Sequence, residues 1–378
     1  MNLNSAGRTR KRIGIDARLY HYGYGIGRYI QQLIAAFEKM EDTNEYMIFL
    51  SKTAWNLYQP LNPRFHKVPA FVPWYSLSEQ LIMPFLIKKH RIDLMHFPHF
   101  NVPLFNFTPY IVTIHDLTML TSPISARIAA STRSRIRYEA IYAAYRVVLH
   151  FAAARALHII SVSQSVKNDI NARLHIPLER ITVIYNGVMR PSAHAKRPDS
   201  IKKPFYLSVG SSYPHKNIER LVEAWSFLKK SGFPIPLVLC GQEDVFRDRI
   251  VSLIENKGLA ASIIHLGMVT DEELSWLYAN ALGLISPSLA EGFGLPTVEA
   301  LRYALPSIVS RLPVYEETIA DCAVYFDPLN VNDMVKSIQQ FHNDERMRNR
   351  LRAACLDRAA LYDWSNTARQ TYALYQSS

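Results

Sequence analysis

Short apolar runs alternate with helical-period stretches along both halves of the chain. Arg12-Ile-Gly-Ile-Asp16 reads as a first strand, followed by a glycine-rich turn and a helix from about Ile26 to Met40. Tyr46–Leu50, Asp93–His96 and Tyr110–Ile114 read as further strands, and a helical block at 125–155 leads into strands at His158–Ser161 and Ile181–Tyr185. A polar, proline-bearing stretch near Arg190–Pro204 interrupts the pattern, which then restarts. Pro204–Gly210 is a strand, Asn217 to about Lys230 a helix, and Pro236–Cys240, Ile263–Leu266 and Gly283–Ser286 are strands each followed by a helix. Strands separated by helices predict parallel sheets covered on both faces. The chain of 378 residues suits two domains, expected at 1–190 and 204–361 around a 191–203 linker, with a ligand held in a cleft between them. Residues 362–378 form a terminal helix in which Trp364, Ala368, Tyr372 and Tyr375 share one face.

Composition narrows the class. With 49% hydrophobic and 20% charged residues, the chain reads as an ordinary soluble globular protein. Cys240, Cys322 and Cys355 show neither a disulfide framework nor metal-ligand spacing, which fits a reducing compartment. Residues 1–12 lack the apolar core of a secretory signal, and no run of about 18 apolar residues suggests a membrane span, so the cytosol is expected. The net charge of +11 is partly local, because Arg127, Arg133, Arg135, Arg137, Arg146 and Arg155 face one acid, Glu139. Ile128, Ile136, Ile141, Tyr142, Tyr145, Val148 and Leu149 repeat there at helical spacing. Two readings stand side by side: a basic helix on an anionic membrane surface through Arg127–Arg155, and a core-packing helix with a solvated basic face. No nucleic-acid signature is visible, so no nucleic-acid partner is expected.

The most specific chemistry lies in Glu291-Gly-Phe-Gly-Leu-Pro-Thr-Val-Glu299. Gly292, Gly294 and Pro296 rule against one continuous helix, which predicts Glu291 in a loop and Glu299 in the first turn of a helix starting near Pro296. Free N–H groups of Phe293, Gly294, Leu295 and Thr297 would then form an anion site between two hydroxyl-seeking carboxylates, as a sugar nucleotide requires. The alternative is a capped helix with two solvated glutamates. Three other loops follow strands. Gly23-Tyr-Gly-Ile-Gly27-Arg28 is G-x-G-x-G and departs from the dinucleotide fingerprint, so close backbone approach to a diphosphate competes with a plain tight turn. Thr113-Ile-His115-Asp116-Leu117 could supply a proton acceptor or only a helix cap. Val209-Gly-Ser-Ser-Tyr-Pro-His215-Lys216-Asn217 places a lysine beside a helix N-terminus, where it could neutralise a leaving phosphate or lie on the surface. His96 and His99, separated by Pro98, do not make a helical zinc pair, and no Asp-x-Asp or Gly-x-Ser-x-Gly element occurs.

Together these motifs resemble the retaining glycosyltransferases of family four, nearly end to end. Ile15-Asp-Ala-Arg, Gly25-Ile-Gly-Arg-Tyr29, Thr113–Leu117, Ile159–Ser163, Val183-Ile-Tyr-Asn-Gly187, Val209–Asn217 and the Glu-x7-Glu segment all correspond. The resemblance implies a GT-B architecture, two Rossmann-like α/β domains facing across a cleft, with the terminal helix crossing back onto the N-terminal domain. It implies Lys216 on the donor diphosphate, Glu291 on the donor-sugar hydroxyls, Glu299 on the ribose, and His115 on the donor-sugar and acceptor side. Gly25, Gly27, Ser211, His215, Val269, Phe293, Gly294, Leu295 and Thr297 complete the implied donor set. Asp116, Trp74, Tyr75 and His99 are assigned to the acceptor side. Neither a metal nor a cofactor is implied. Many relatives carry an arginine near Lys216, where this chain has His215, Ser211 and Ser212. The expected activity is transfer of a hexose, first mannose from GDP-mannose, to a glycan or polyprenyl-linked acceptor, in the cytoplasm or at the inner membrane face. A UDP-sugar transferase, an epimerase or phosphorylase on the same architecture, and a non-catalytic sugar-nucleotide-binding protein remain as alternatives.

Overall fold

The computed structural model describes residues 10–21, 25–121, 135–202, 204–241 and 244–378. The chain divides into two compact units, Met1–His115 with Glu139–Gly187 and Trp364–Ser378, and Asp116–Tyr138 with Val188–Asp363. In the first unit the described residues form seven strands: β1 Arg12–Asp16, β2 Glu45–Leu50, β3 Phe65–Pro69, β4 Leu94–Phe97, β5 Tyr110–Ile114, β6 His158–Ser161 and β7 Ile181–Val183. They pair in parallel in the order β3-β2-β1-β4-β5-β6-β7. In the second unit β8 Tyr206–Val209, β9 Leu237–Cys240, β10 Ile263–Gly267, β11 Leu284–Ser286, β12 Ser307–Ser310 and β13 Ala323–Phe326 form a parallel sheet in the order β10-β9-β8-β11-β12-β13. Strand order reverses between β1 and β4 in one sheet and between β8 and β11 in the other. Those switch points are where loops splay apart and leave room for a ligand.

Three strands escape the sequence pattern. In β3 only Phe65 and Val68 of Phe-His-Lys-Val-Pro are buried, as befits a sheet edge. β12 is Ser-Ile-Val-Ser, too little apolar sequence to signal a strand, yet all four residues are buried once paired with β11 and β13. β13 follows a short 3-10 turn and owes its conformation to the β12 ladder. The segment expected as a linker packs on the second unit: Ile201 is fully buried and the Ser192 N–H donates to Ser275 Oγ at 3.0 Å.

The Ile26–Glu38 helix buries Tyr29, Ile30, Leu33, Ile34 and Phe37 on one face, the 3.6-residue period expected of a sheet-covering helix. The terminal Trp364–Ser377 helix joins that same core, with Ala368 and Tyr375 fully buried and Trp364 and Tyr372 packed against it. Its anchor is polar. The Tyr375 hydroxyl lies 2.7 Å from His96 Nδ1, and His96 Nε2 lies 2.8 Å from Thr113 Oγ1. Burial pushes the His96 imidazole down to about 3, so it stays neutral in the core. Packing, rather than zinc, accounts for His96. Gly187 makes the helix start possible, because a Cβ there would sit 2.4 Å from the Trp364 backbone nitrogen.

Of the basic stretch, residues 122–134, including Arg127 and Arg133, lie outside the described residues. The Arg135–Arg155 helix buries Tyr145, Leu149, Ala152 and Ala153 in the first unit, as the core-packing reading requires. Ile141, Val147 and Phe151 are nevertheless exposed on it.

Candidate functional site

The loops after β8 and β11, the two strands flanking the second unit's switch point, are stitched together. The Leu289 N–H donates to the His215 carbonyl at 2.7 Å, and Asn217 Nδ2 donates to the Pro287 carbonyl at 2.9 Å. Between these bonds Lys216 Nζ meets Glu291 Oε1 at 2.6 Å, with the two side chains only 22% and 12% exposed. Glu291 Oε1 also accepts from Ser288 Oγ at 2.9 Å and from the Tyr315 hydroxyl at 3.3 Å. Tyr315 in turn lies 2.6 Å from Ser286 Oγ; burial first, and the Glu291 charge second, hold its phenol well above the ordinary range. A carboxylate with three donors on one oxygen is held in one orientation, which is what a group aiming at a small set of hydroxyls needs.

Glu299 lies eight residues on, in the Leu295–Leu301 helix. It is the fifth helical residue, so it sits in the second turn rather than the first. There it is 8% exposed, and its Oε2 accepts from the Tyr278 hydroxyl at 3.0 Å. The expected set of four free amides also needs correcting. Thr297 uses both its N–H and its hydroxyl on the Gly294 carbonyl, at 2.9 and 2.7 Å, because this closes the first turn of the helix. Phe293 is buried with its ring edge-on to Tyr362 at 5.6 Å. Gly294 has a φ of +75°, and a Cβ there would lie 2.6 Å from Tyr315 Cε1, so the motif's second glycine is required on both counts. Leu295 starts the helix and Pro296 is its second residue.

His215 does not act as a replacement cation in this state. Burial first, then the charge of Lys216, lower its imidazole to about 4 against the opposing pull of Glu291, Asp116 and Asp244. It is therefore neutral at pH 7. Since the unfolded histidine titrates near 6.5, the unfolded chain binds the extra proton between about 6.5 and 4. Stability should accordingly fall as pH drops through that window, with His96 adding to it in the same direction. Melting temperatures of wild type and His215→Asn from pH 4 to 7 check this. A slope unchanged by the substitution would remove His215 from the effect. Nearby, the Ser212 N–H donates to Asp244 Oδ2 at 2.5 Å, and Ser211 lines a cavity of about 20 Å³ with Ser208, Gly210, Cys240 and His265. Val269 is half-buried in the connection between β10 and the Asp271–Asn280 helix.

In the first unit, His115 follows β5 with Nε2 2.9 Å from the Pro98 carbonyl and its ring edge-on to Tyr29 at 4.8 Å. Asp116 is exposed and its Oδ1 caps the Thr118 N–H at 2.8 Å, the helix-capping alternative. Gly25 has a φ of +58° and precedes the Ile26–Glu38 helix, whereas Gly27 is buried inside that helix and so is not a loop residue. Gly23 lies outside the described residues. Trp74, Tyr75 and His99 do come together, with ring centroids 5.6 Å apart for Trp74–His99 and 6.4 Å for Tyr75–His99. Behind them is a network the sequence did not reveal. Fully buried Arg18 binds Asp16 through two bonds of 2.8 and 2.7 Å and Glu79 at 2.5 Å, and it lies over the Trp74 ring at 4.7 Å. Glu79 also accepts from Asn101 Nδ2 and from the Tyr75 N–H, both at 2.8 Å, so one carboxylate pins the loops after β1, β3 and β4. Tyr278, Ser288 and Tyr315 were missed as well, since a lone serine three residues before Glu291 and two distant tyrosines match no motif spacing.

Comparison with known proteins decides the family. Residues 24–189 match the model described as Glycosyltransferase Family 4, and residues 189–355 that of Glycosyl transferases group 1. The chain belongs to glycosyltransferase family 4. This transferase is 27% identical over 352 residues to the O-antigen chain mannosyltransferase RfbU of Salmonella typhimurium, covering 86% of its own length and 92% of the relative's. It is 25% identical over 376 residues to the O-antigen chain mannosyltransferase B of Escherichia coli, covering 93% and 96%. Among solved structures it resembles a sucrose-phosphate synthase from Thermosynechococcus elongatus, with a TM-score of 0.77, 21% identity, and 97% and 99% of the two chains covered. Two parallel-sheet α/β domains with this likeness make the fold GT-B.

Proposed function

We propose that this transferase moves a hexose, mannose from GDP-mannose, onto a glycan or lipid-linked oligosaccharide in surface-polysaccharide synthesis, with retention of configuration and without a metal. The observation that carries the reading is the Lys216–Glu291 pair at the switch point, one helical element away from the Tyr278-supported Glu299. The choice of mannose is supported by the relatives named as mannosyltransferases. Lys216 would leave Glu291 for the donor diphosphate and neutralise charge as the glycosidic bond to phosphate breaks. Glu291, released from that pair but still held by Ser288 and Tyr315, would accept hydrogen bonds from the sugar hydroxyls. Glu299 would accept from the ribose hydroxyls. The acceptor oxygen would bond to the anomeric carbon on the face the phosphate leaves, giving its proton to the departing phosphate oxygen, so no protein nucleophile is needed. His115 and the Trp74, Tyr75 and His99 rings would serve the acceptor side.

A thermal-shift panel of GDP, UDP, ADP and their sugars tests this with wild type and Glu299→Ala. Selective stabilisation by GDP and GDP-mannose is expected, about 2.7 kcal/mol at a hundredfold excess over Kd, and largely lost in the variant. Tyr278→Phe should weaken the same ligands by about tenfold, the scale of one hydrogen bond to a charged group. Selectivity for UDP would reassign the donor. A flat response to every nucleotide would sink the transferase reading.

A further inference from the structure

The outer face of the Glu79–Lys89 helix is built the wrong way round for water. Its inner face buries Glu79, Met83 and Ile87 at i, i+4 and i+8, as a core-facing helix should. Its outer face carries Leu81 and Phe85, 67% and 64% exposed, and Leu77, one turn before, is 89% exposed. A helix apolar on both faces needs a second cover. The loop beside it repeats the arrangement. The Leu104 N–H donates to Gln80 Oε1 at 2.7 Å, tying that loop to the helix, and Arg155 donates to the Leu104 and Asn106 carbonyls at 2.8 Å each. With its backbone so held, the loop presents Phe105 at 54% and Phe107 at 82% exposure, the latter with the Arg155 guanidinium over its ring at 5.4 Å.

Charge selects the cover. Lys88, Lys89 and Arg91 are exposed at the end of the helix, and Arg155 lies beside the loop. The acids of the 70–93 stretch are Glu79, fully buried in the Arg18 network, and Asp93, whose Oδ2 accepts the Arg12 N–H at 2.8 Å. A second copy of this chain docked by a two-fold axis would set these cations against one another, within a chain of net charge +11. An anionic lipid surface meets both demands: its acyl boundary takes the leucine and phenylalanine tips, and its headgroups take the lysines and arginines. We infer that the Glu79–Lys89 helix and the 104–107 loop form an interfacial patch that docks the first unit on an anionic membrane. The inference rests on the proposed function only for why a membrane is approached, namely a lipid-linked acceptor. It also shifts the membrane contact expected of Arg127–Arg155 to a different helix, with Arg155 shared by both.

Vesicle sedimentation of the full chain tests the patch without any donor or acceptor. The probes are vesicles of phosphatidylcholine alone and of phosphatidylcholine with phosphatidylglycerol. Wild type should sediment with the anionic vesicles and much less with the neutral ones. Leu81→Glu/Phe85→Glu should lower the partition coefficient by about 100-fold or more. Lys88→Gln/Lys89→Gln should lower it about fivefold per lysine, with weakened salt dependence. All four positions are exposed, so both variants should keep the wild-type melting temperature and nucleotide response, which separates failure of this patch from failure of the transferase reading. No sedimentation, equal binding to both vesicles, or wild-type binding by the glutamate variant would overturn the inference. So would a wild-type dimer in analytical ultracentrifugation that the glutamates dissociate.

Discussion

Lys216→Ala is expected to lower kcat by about 10²–10³-fold at saturating donor, the cost of removing one charge-stabilising group from a transition state. The expectation follows from where the ammonium sits. It is tethered 2.6 Å from Glu291, mostly shielded, on a short 3-10 turn from Pro214 to Lys216 that runs directly into the Ile218–Lys230 helix. In the free enzyme the pair holds the two side chains against each other. With donor bound, the same cation would be the nearest compensation for the leaving diphosphate, because His215 beside it is held neutral. The fold should survive the change: Glu291 keeps Ser288 and Tyr315 as donors, and loss of a partly exposed ion pair costs about 1 kcal/mol. Lys216→Arg should restore part of the rate, since the charge returns with altered geometry. Steady-state kinetics with GDP-mannose read the result. A kcat within about threefold of wild type would remove Lys216 from the chemistry, well below the loss expected of such a group.

The second large effect is structural. Arg18→Met should destabilise the protein by about 3–5 kcal/mol, because two buried carboxylates lose their shared cation. Burial opposes the Arg18 charge, but Asp16 and Glu79 outweigh it and leave the guanidinium more firmly protonated than usual. Removing the arginine therefore leaves charges the interior cannot accommodate, rather than a simple cavity. Replacing the whole set, as Asp16→Asn/Arg18→Met/Glu79→Gln, should recover much of the loss by removing the charges together. Urea denaturation followed by circular dichroism measures both variants. A loss below about 1 kcal/mol for Arg18→Met would show that water reaches the network and screens it as at a surface. Since Glu79 also holds the Tyr75 N–H and Asn101, the single variant should raise acceptor KM while leaving nucleotide binding in place.

Local sequence was sufficient wherever the information is local. The alternation of buried strands and one-faced helices, the break in Glu291–Glu299, the positive-φ turn at Gly294, and the shared face of Trp364, Ala368, Tyr372 and Tyr375 each rest on residues close in sequence. Periodicity and turn chemistry act over such windows, and the motifs they carry were specific enough to reach the family. Tertiary structure decided everything that depends on which distant residue arrives as a neighbour. β12 and β13 exist through mutual pairing, and Thr297 closes a turn instead of offering an amide. Arg18 and Glu79 meet across 61 positions, and Lys216 meets Glu291 across 75. The neutrality of His215 and the exposed face of Leu81 and Phe85 belong to the same class. Burial and charge state are properties of an assembled surrounding, and residues far apart in a chain acquire that surrounding only when the sheet brings their loops to one edge.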